Sequence, residues 1–405
     1  MNLPYFISSR ITKNEEGSFS GTITRIAIIS IAVALSSLIL AFLILGGYEN
    51  VITSKIYSFS GHVVVSKYTL SNSVEETSIV VSDSLLEKVK NTEGVDYVQA
   101  YSFKYGLLST KDEVQGVLVK GIDEHFNRTD FEQHLIRGKF PEFPEDNYGT
   151  EVAISEKISN ILQLDVGDEV TIFFVQKPLR FRKLQITGVY ETGLEEIDEN
   201  VILGDIRLVS RINNWEENQV GGLEVYLDDP NDQAQAAETL FDKVDFDMYV
   251  EKVADKYIQI FEWLRMLNRN VLILLVIVLF VACFNMVSIL LILILERTQM
   301  IGVFKSLGAS NALIRRIFLF NGLNLIIKGL LWGNFIGLSF CLAQYYFRFI
   351  PLDASNYYVS YVPIALDYGI VLLLNVMAVI VVGITLFIPL SLISRIQPVK
   401  AIRFD

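Results

Sequence analysis

The sequence predicts an α-helical membrane protein with four transmembrane helices and a large α+β extracytoplasmic domain between helices 1 and 2. Three observations lead there. First, four apolar runs, at about 26–47, 271–295, 317–347 and 368–391, are each long enough to cross ~30 Å of hydrocarbon, which takes ~20 residues. Second, mean hydropathy is +0.40 and 51% of the 405 residues are hydrophobic, so membrane spans accompany a sizeable soluble part. Third, the formal charge of −12 is unevenly spread. Residues 48–270 hold 22 of the 34 Lys and Arg and 40 of the 46 Asp and Glu, a net of −18; the remainder is +6. By the positive-inside rule the acidic block belongs outside and the basic remainder inside, with both termini cytoplasmic. An acidic solvated domain also argues against nucleic-acid binding, which needs basic patches.

Taken in order, residues 1–25 predict a cytoplasmic N-terminal elbow, with Leu3, Phe6, Ile7 and Ile11 on one helical side and Arg10, Lys13 and Arg25 holding it inside. The span at 26–47 is longer and later than a signal-peptide core of ~7–15 residues, and reads as an uncleaved anchor. Val51, Ile52, Ile56 and Phe59 continue its apolar side, predicting a stalk that Gly61 ends. Strands follow at 62–68, 97–109, 114–120, 169–175, 181–190 and 222–227, where β-branched and aromatic residues concentrate. Helical pieces are expected at about 83–91, 155–163 and 231–244, in a domain that is one body or two lobes. Gln163–Val170 reads as an acidic Gly turn, and Glu191–Asn200 as a solvated acidic loop lacking calcium-loop spacing. Lys177, Pro178, Leu179 and Arg180 form a basic hairpin tip.

Residues 254–270 carry Tyr257, Ile260, Phe261, Leu264 and Leu267 as a second stalk that runs into the span at 271–295. Asn285 lies in that span, and a buried amide there calls for a partner across helices. The loop at 296–316 is basic, yet Met300, Ile301, Val303, Phe304 and Leu307 are spaced as the face of a short helix that Gly308 stops. Such a helix lies in the headgroup layer, connects two spans, or docks a cytoplasmic partner. In the third span Gly329, Gly333 and Gly337 recur every four residues, which permits close helix packing. Lys328 beside them is expected ~16 Å deep, counting 1.5 Å per residue from 317, and facing protein rather than lipid. A short outer loop at 348–367 and a basic tail at 392–405 complete the chain. Cys283 and Cys341 both fall inside spans, as plain thiols.

The run Glu296, Arg297, Ile301, Gly302, Lys305, Leu307, Gly308, Ala309 and Ser310 resembles the cytoplasmic loop of the FtsX/MacB-type ABC permeases. The flanking Val281–Ser288 and Leu313–Phe318, the N-terminal stretch through residue 65, and the ending through Pro398, Val399, Ala401, Ile402 and Arg403 resemble the lipoprotein-releasing (Lol) permeases in particular. The resemblance covers most of the chain. It implies a MacB-like permease of the bacterial inner membrane with its large domain in the periplasm. It implies a coupling helix, formed by Met300, Ile301, Gly302, Val303, Phe304, Lys305, Leu307 and Gly308, resting on a separate cytoplasmic ABC ATPase subunit (LolD-like). ATP and Mg would be bound by that partner, and no cofactor by this chain. It implies a second permease copy or paralogue, lipoprotein substrates, surrounding membrane lipids and, through the hairpin at Lys177–Arg180, a periplasmic carrier (LolA-like). The hairpin is shorter than the family's well-formed version, so an ordinary turn stays open there.

Chemistry of other kinds is missing from the sequence. There is no G-x-x-x-x-G-K-[ST], no H-E-x-x-H, no G-x-S-x-G and no ligand spacing among His62, His125 and His134, so a non-catalytic subunit is expected. The expected activity is ATP-driven extraction of mature lipoproteins from the inner membrane and their transfer to a carrier. A groove between the first two spans is expected to hold the acyl chains, with Leu38, Phe42, Leu45, Val278 and Phe284 as its residues. The alternatives are a mechanotransmitting permease for efflux or control of a cell-wall hydrolase, and a membrane-anchored ligand sensor.

Overall fold

The computed structural model describes residues 19–69, 76–111, 113–144, 147–174 and 176–395. Most of the expected N-terminal elbow and the end of the basic tail lie outside these residues. The chain divides into two compact units, each described on its own: residues 51–262 with 352–360, and residues 1–50, 263–351 and 361–405.

Helix α1 (Phe19–Ser60) runs through the first span and the expected stalk without a break. It stops because Gly61 takes φ +67°, a left-handed conformation that costs glycine little. The extracytoplasmic unit then builds strands β1 (Val63–Lys67) and β2 (Ile79–Val80), α2 (Asp83–Lys90), β3 (Val95–Ser109), β4 (Val114–Ile122), β5 (Leu135–Gly138) and β6 (Glu151–Ser155). There follow α3 (Glu156–Leu162), β7 (Glu169–Phe174), β8 (Arg180–Tyr190), β9 (Val201–Asp205), α4 (Ile206–Asn213), β10 (Gln219–Val220), β11 (Gly222–Leu227), α5 (Gln233–Phe241) and β12 (Met248–Lys252). Side-chain oxygens of Ser82, Ser155 and Asp205 cap α2, α3 and α4, accepting from Leu85, Ile158 and Arg207 N–H groups at 3.2, 3.1 and 2.9 Å.

Among the described residues, ten strands form one sheet in the order β12-β1-β11-β3-β4-β9-β6-β8-β5, with β7 pairing β3 and β8; β2 and β10 form a separate pair. The β4–β9 and β6–β8 pairs are parallel and the rest antiparallel. The side chains on this sheet pack into two separate apolar clusters. One apolar cluster gathers around Ile154, Ile172, Ile186 and Leu208, and another around Val63, Val89, Leu223 and Leu240. The six strands expected from the sequence are present. The acidic loop at 191–200 is not simply solvated: Leu194, Ile197 and Asp198 are buried. The Asp198 carboxylate accepts from Thr192 N–H and O–H and Gly193 N–H at 3.1, 2.8 and 2.7 Å, which folds the loop inward.

In the membrane unit α6 (Ile258–Glu296) is the second span, followed by α7 (Thr298–Ser306), α8 (Asn311–Phe347), α9 (Tyr368–Thr385) and α10 (Phe387–Ser391). Among the described residues, four segments are long and apolar enough to cross a membrane: Gly21–Ser60, Ile258–Glu296, Asn311–Phe347 and Tyr368–Ser391. Helix α8 starts six residues before the apolar run at 317, capped by Ser310 Oγ on the Leu313 N–H at 3.3 Å. The fourth span breaks at Leu386, three residues ahead of Pro389, whose ring supplies no N–H.

The expected glycine stripe is a helix contact. A Cβ on Gly329 would lie 2.6 Å from Ile31 Cβ, one on Gly333 2.9 Å from Ala32 O, and one on Gly337 3.2 Å from Ser36 Cα. Helices α1 and α8 therefore run side by side in the same direction, closer than any larger residue allows. Asn334 and Asn375 join α8 to α9 with two reciprocal amide bonds of 2.7 and 2.9 Å, and each also donates to its own helix, at Leu330 O and Val371 O. The cross-helix amide bond expected of Asn285 is thus made by another pair; Asn285 itself is half-buried.

Candidate coupling site

The short amphipathic helix is α7, and Gly308 beyond it takes φ +88°. Its apolar residues do not share one outward face. Ile301 is fully buried in the bundle core and Gly302 is buried beside it. Met300 and Phe304 are half-buried against the same core. Val303 and Leu307 point outward, at 47% and 78% exposure. Lys305 turns back and donates to Ile393 O at 2.8 Å, joining α7 to the last described turn of the chain. The reason is geometric: a short helix between two spans must seat part of its apolar side on the helices it connects, and only the remainder stays open.

The expected groove residues separate in the same way. Leu38 and Leu45 are buried within the bundle, Phe42 and Val278 are half-buried against its core, and Phe284 is exposed at 68%. A helix of period 3.6 cannot turn Leu38 and Leu45 both inward and toward an open groove, so only Phe284 faces out fully. Lys328 is exposed within this chain, because the neighbouring Gly329 occupies the contact with α1. Gly329 sits level with Ile28 and Ile31, three and six residues beyond Arg25 at the inner edge of the first span. That is about 5–9 Å at ~1.5 Å per residue.

At the hairpin between β7 and β8, Lys177, Pro178 and Leu179 are exposed at the tip. Arg180 is held at its base, donating to Arg211 O and Ile212 O at 2.9 and 2.8 Å and to Asn214 Oδ1 at 2.7 Å.

A feature invisible in the sequence closes the outer end of α1. The last carbonyls of a helix lack partners within it. Here Tyr57 O accepts from Gly61 N–H at 2.9 Å, Ser58 O from Tyr226 O–H at 3.5 Å, and Phe59 O from the Lys120 ammonium. Lys120 on β4 is fully buried and pairs with Glu224 on β11 at 2.6 Å. Gln99 on the intervening β3 donates to the other Glu224 oxygen at 2.7 Å and to Tyr226 Oη at 3.1 Å. Burial pushes the Lys120 ammonium below its usual range, and Glu224 pulls it back up. In the strand VQGVLVKGI nothing marks Lys120 as buried; it reads as an ordinary strand lysine.

The stalks also meet. Tyr57 and Phe261 rings lie 6.0 Å apart and Ser60 Oγ is 3.1 Å from Tyr257 Oη. Lys55, half a turn back, donates to Tyr358 O of the short outer loop at 2.9 Å.

The chain resembles known proteins along nearly its whole length. The model for the MacB-like periplasmic core domain matches residues 24–241 and that for the FtsX-like permease C-terminal region matches 272–398. The chain is 22% identical to "Lipoprotein-releasing system transmembrane protein LolC" of Neisseria meningitidis, over 96% of each chain. It is 24% identical to "Lipoprotein-releasing system transmembrane protein LolE" of Haemophilus influenzae, over 99% of each. The solved periplasmic region of MacB from Actinobacillus actinomycetemcomitans aligns with 51% of this chain and 95% of its own, at 14% identity and a TM-score of 0.34. With one family model spanning more than half of its residues and a second covering the other end, this chain belongs to the FtsX/MacB-like permeases.

Proposed function

We propose that this chain is a permease subunit of an ABC transporter that extracts mature lipoproteins from the inner membrane and hands them to a periplasmic carrier. One observation carries the reading: the likeness to lipoprotein-releasing transmembrane proteins extends from end to end and so includes both units. Both termini lie in the cytoplasm and the sheet domain in the periplasm, in keeping with the charge partition. ATP and Mg bind a separate ATPase subunit, which docks on α7 through the outward Val303 and Leu307. Ile301 and the Lys305–Ile393 bond carry that push into the bundle. Acyl chains held at ~0.8 kcal/mol per methylene make extraction cost tens of kcal/mol unless apolar surface lines the route. Phe284, with the half-buried Phe42 and Val278, supplies part of that surface, and the exposed tip Lys177–Leu179 meets the carrier.

The test is purification of the full chain from mild detergent with its partners, then reconstitution in liposomes. Co-purification of an ATPase, and ATP-dependent release of a lipoprotein to a soluble carrier, is the expected result. An ATPase partner without lipoprotein release points to a mechanotransmitting permease for efflux or cell-wall hydrolase control. A small ligand on the periplasmic domain with no ATPase points to a sensor.

A further inference from the structure

Between α1 and α8, on the outer surface of the bundle, lies a crevice of about 360 Å³. Ile28, Val33, Trp332 and Ile336 line it, and Arg25 stands at its inner end. The glycine contact that brings the two helices together forms its floor, since Gly329 and Gly333 place no side chain there. Lys328 is one turn before Trp332 on α8, and residues one turn apart share a helix face. It is exposed, and level with Ile28 and Ile31. On the orientation proposed above, an apolar slot thus has two cations at its cytoplasmic end, within two turns of each other. Residues 19–48 and 311–347 contain no Asp or Glu, so the helices forming the slot supply no anion.

We propose that this crevice binds an anionic phospholipid of the inner leaflet, with the phosphate between Arg25 and Lys328 and an acyl chain along Trp332 and Ile336. Basic pockets between transmembrane helices on the cytoplasmic side select acidic headgroups. An amphipathic lysine reaches the headgroup layer along its own methylene stem when it lies only a turn or two inside. The slot is lined as a lipid tail requires, and the charges sit where a headgroup lies. Charge complementarity is what separates this occupant from a second protein chain, which would need a carboxylate at membrane depth.

Trp332 reports on its own neighbour. The full chain with Trp215→Phe and Trp263→Phe keeps Trp332 as its single tryptophan. It is placed in bilayers of phosphatidylcholine containing one-fifth phosphatidylglycerol, with brominated acyl chains on one lipid or the other. Bromine quenches indole only at contact. Brominated phosphatidylglycerol should quench Trp332 at least two-fold more than its mole fraction dictates, and Arg25→Gln with Lys328→Gln should remove the excess. Quenching that follows mole fraction in the parent overturns the proposal. So does protection from both brominated lipids, which means that protein covers the slot. The parent measurement decides even if the double variant fails to fold.

Discussion

Lys120 donates its ammonium to the carbonyl oxygen of Phe59, in the last turn of α1, while Glu224 holds the same ammonium at 2.6 Å. The pair is almost sealed from water, at 0% and 2% side-chain exposure. Removing one member of a buried ion pair leaves an uncompensated charge and costs ~3–5 kcal/mol, more than the pair itself contributes. Lys120→Met should therefore lower the unfolding midpoint of the extracytoplasmic domain sharply, and Lys120→Met with Glu224→Gln should recover part of the loss. Thermal unfolding of the full chain followed by tyrosine signal checks this. An undisturbed midpoint in Lys120→Met means that the clamp carries no stability.

The same domain should lose stability on both sides of a pH optimum. Burial holds His62 and His134 down at about 4, against an ordinary 6.5, so both are neutral when folded. Their unfolded forms bind protons first as pH falls, so stability is full above 6.5 and is lost between 6.5 and 4. Burial pushes Glu76 up to about 8 from an ordinary 4.5. Its contribution is present below 4.5 and is lost as pH rises through 8. His62→Asn retains an acceptor for the Leu227 N–H, now met by His62 Nδ1 at 2.9 Å, and should flatten the acid arm. Glu76→Gln should flatten the alkaline arm. Unfolding midpoints measured from pH 4 to 9 test both.

Coupling should depend on the outward residues of α7 and folding on the inward one. Val303→Asp with Leu307→Asp should leave the chain stable but cut recovery of the ATPase partner about ten-fold or more, a loss of ~1.4 kcal/mol or more. Ile301→Asp places a carboxylate in the bundle core and should instead reduce the amount of folded chain. Pull-down yield and size-exclusion profile separate the two outcomes. Full ATPase binding by the double variant removes the docking assignment.

Relative motion of the stalks is testable with thiols. Tyr57, not its neighbour Ile56, is the residue whose ring meets Phe261. In a background lacking Cys283 and Cys341, cysteines at Tyr57 and Phe261 should link through a short bifunctional reagent faster than cysteines at Ile56 and Phe261. If the stroke passes along the stalks, the linked protein stops releasing lipoprotein. Full release from fully linked protein excludes stroke transmission by stalk movement.

Packing of α1 on α8 should tolerate nothing larger than glycine at Gly333, where even a methyl would lie 2.9 Å from Ala32 O and Leu35 Cβ. Gly333→Leu should lower the melting temperature of the detergent-solubilised chain more than Asn334→Leu does. The latter removes one cross-helix amide pair, worth ~0.6 kcal/mol on average in membrane bundles.

Much of this protein follows from one-dimensional pattern. Apolar runs of twenty or more residues must be helices in lipid, because only a helix satisfies its own backbone there, and the charge partition predicts their orientation. Gly61 and Gly308 mark the ends of α1 and α7, since each stop needs a positive φ. The strands at 97–109 and 114–120 were legible from their β-branched and aromatic residues, and the family from the motif around Gly302. Tertiary structure decided what pattern cannot encode. Helical periodicity gives the side on which Ile301 and Val303 lie, but not which side the neighbouring spans cover. The level of Lys328 along α1 is set by the register of Gly329 on Ile31, a contact between residues nearly 300 positions apart. The amide partner in the bundle is Asn334–Asn375 because two helices cross there. Lys120 is buried because three strands and a helix end converge on it, and burial is a property of that convergence, not of the lysine.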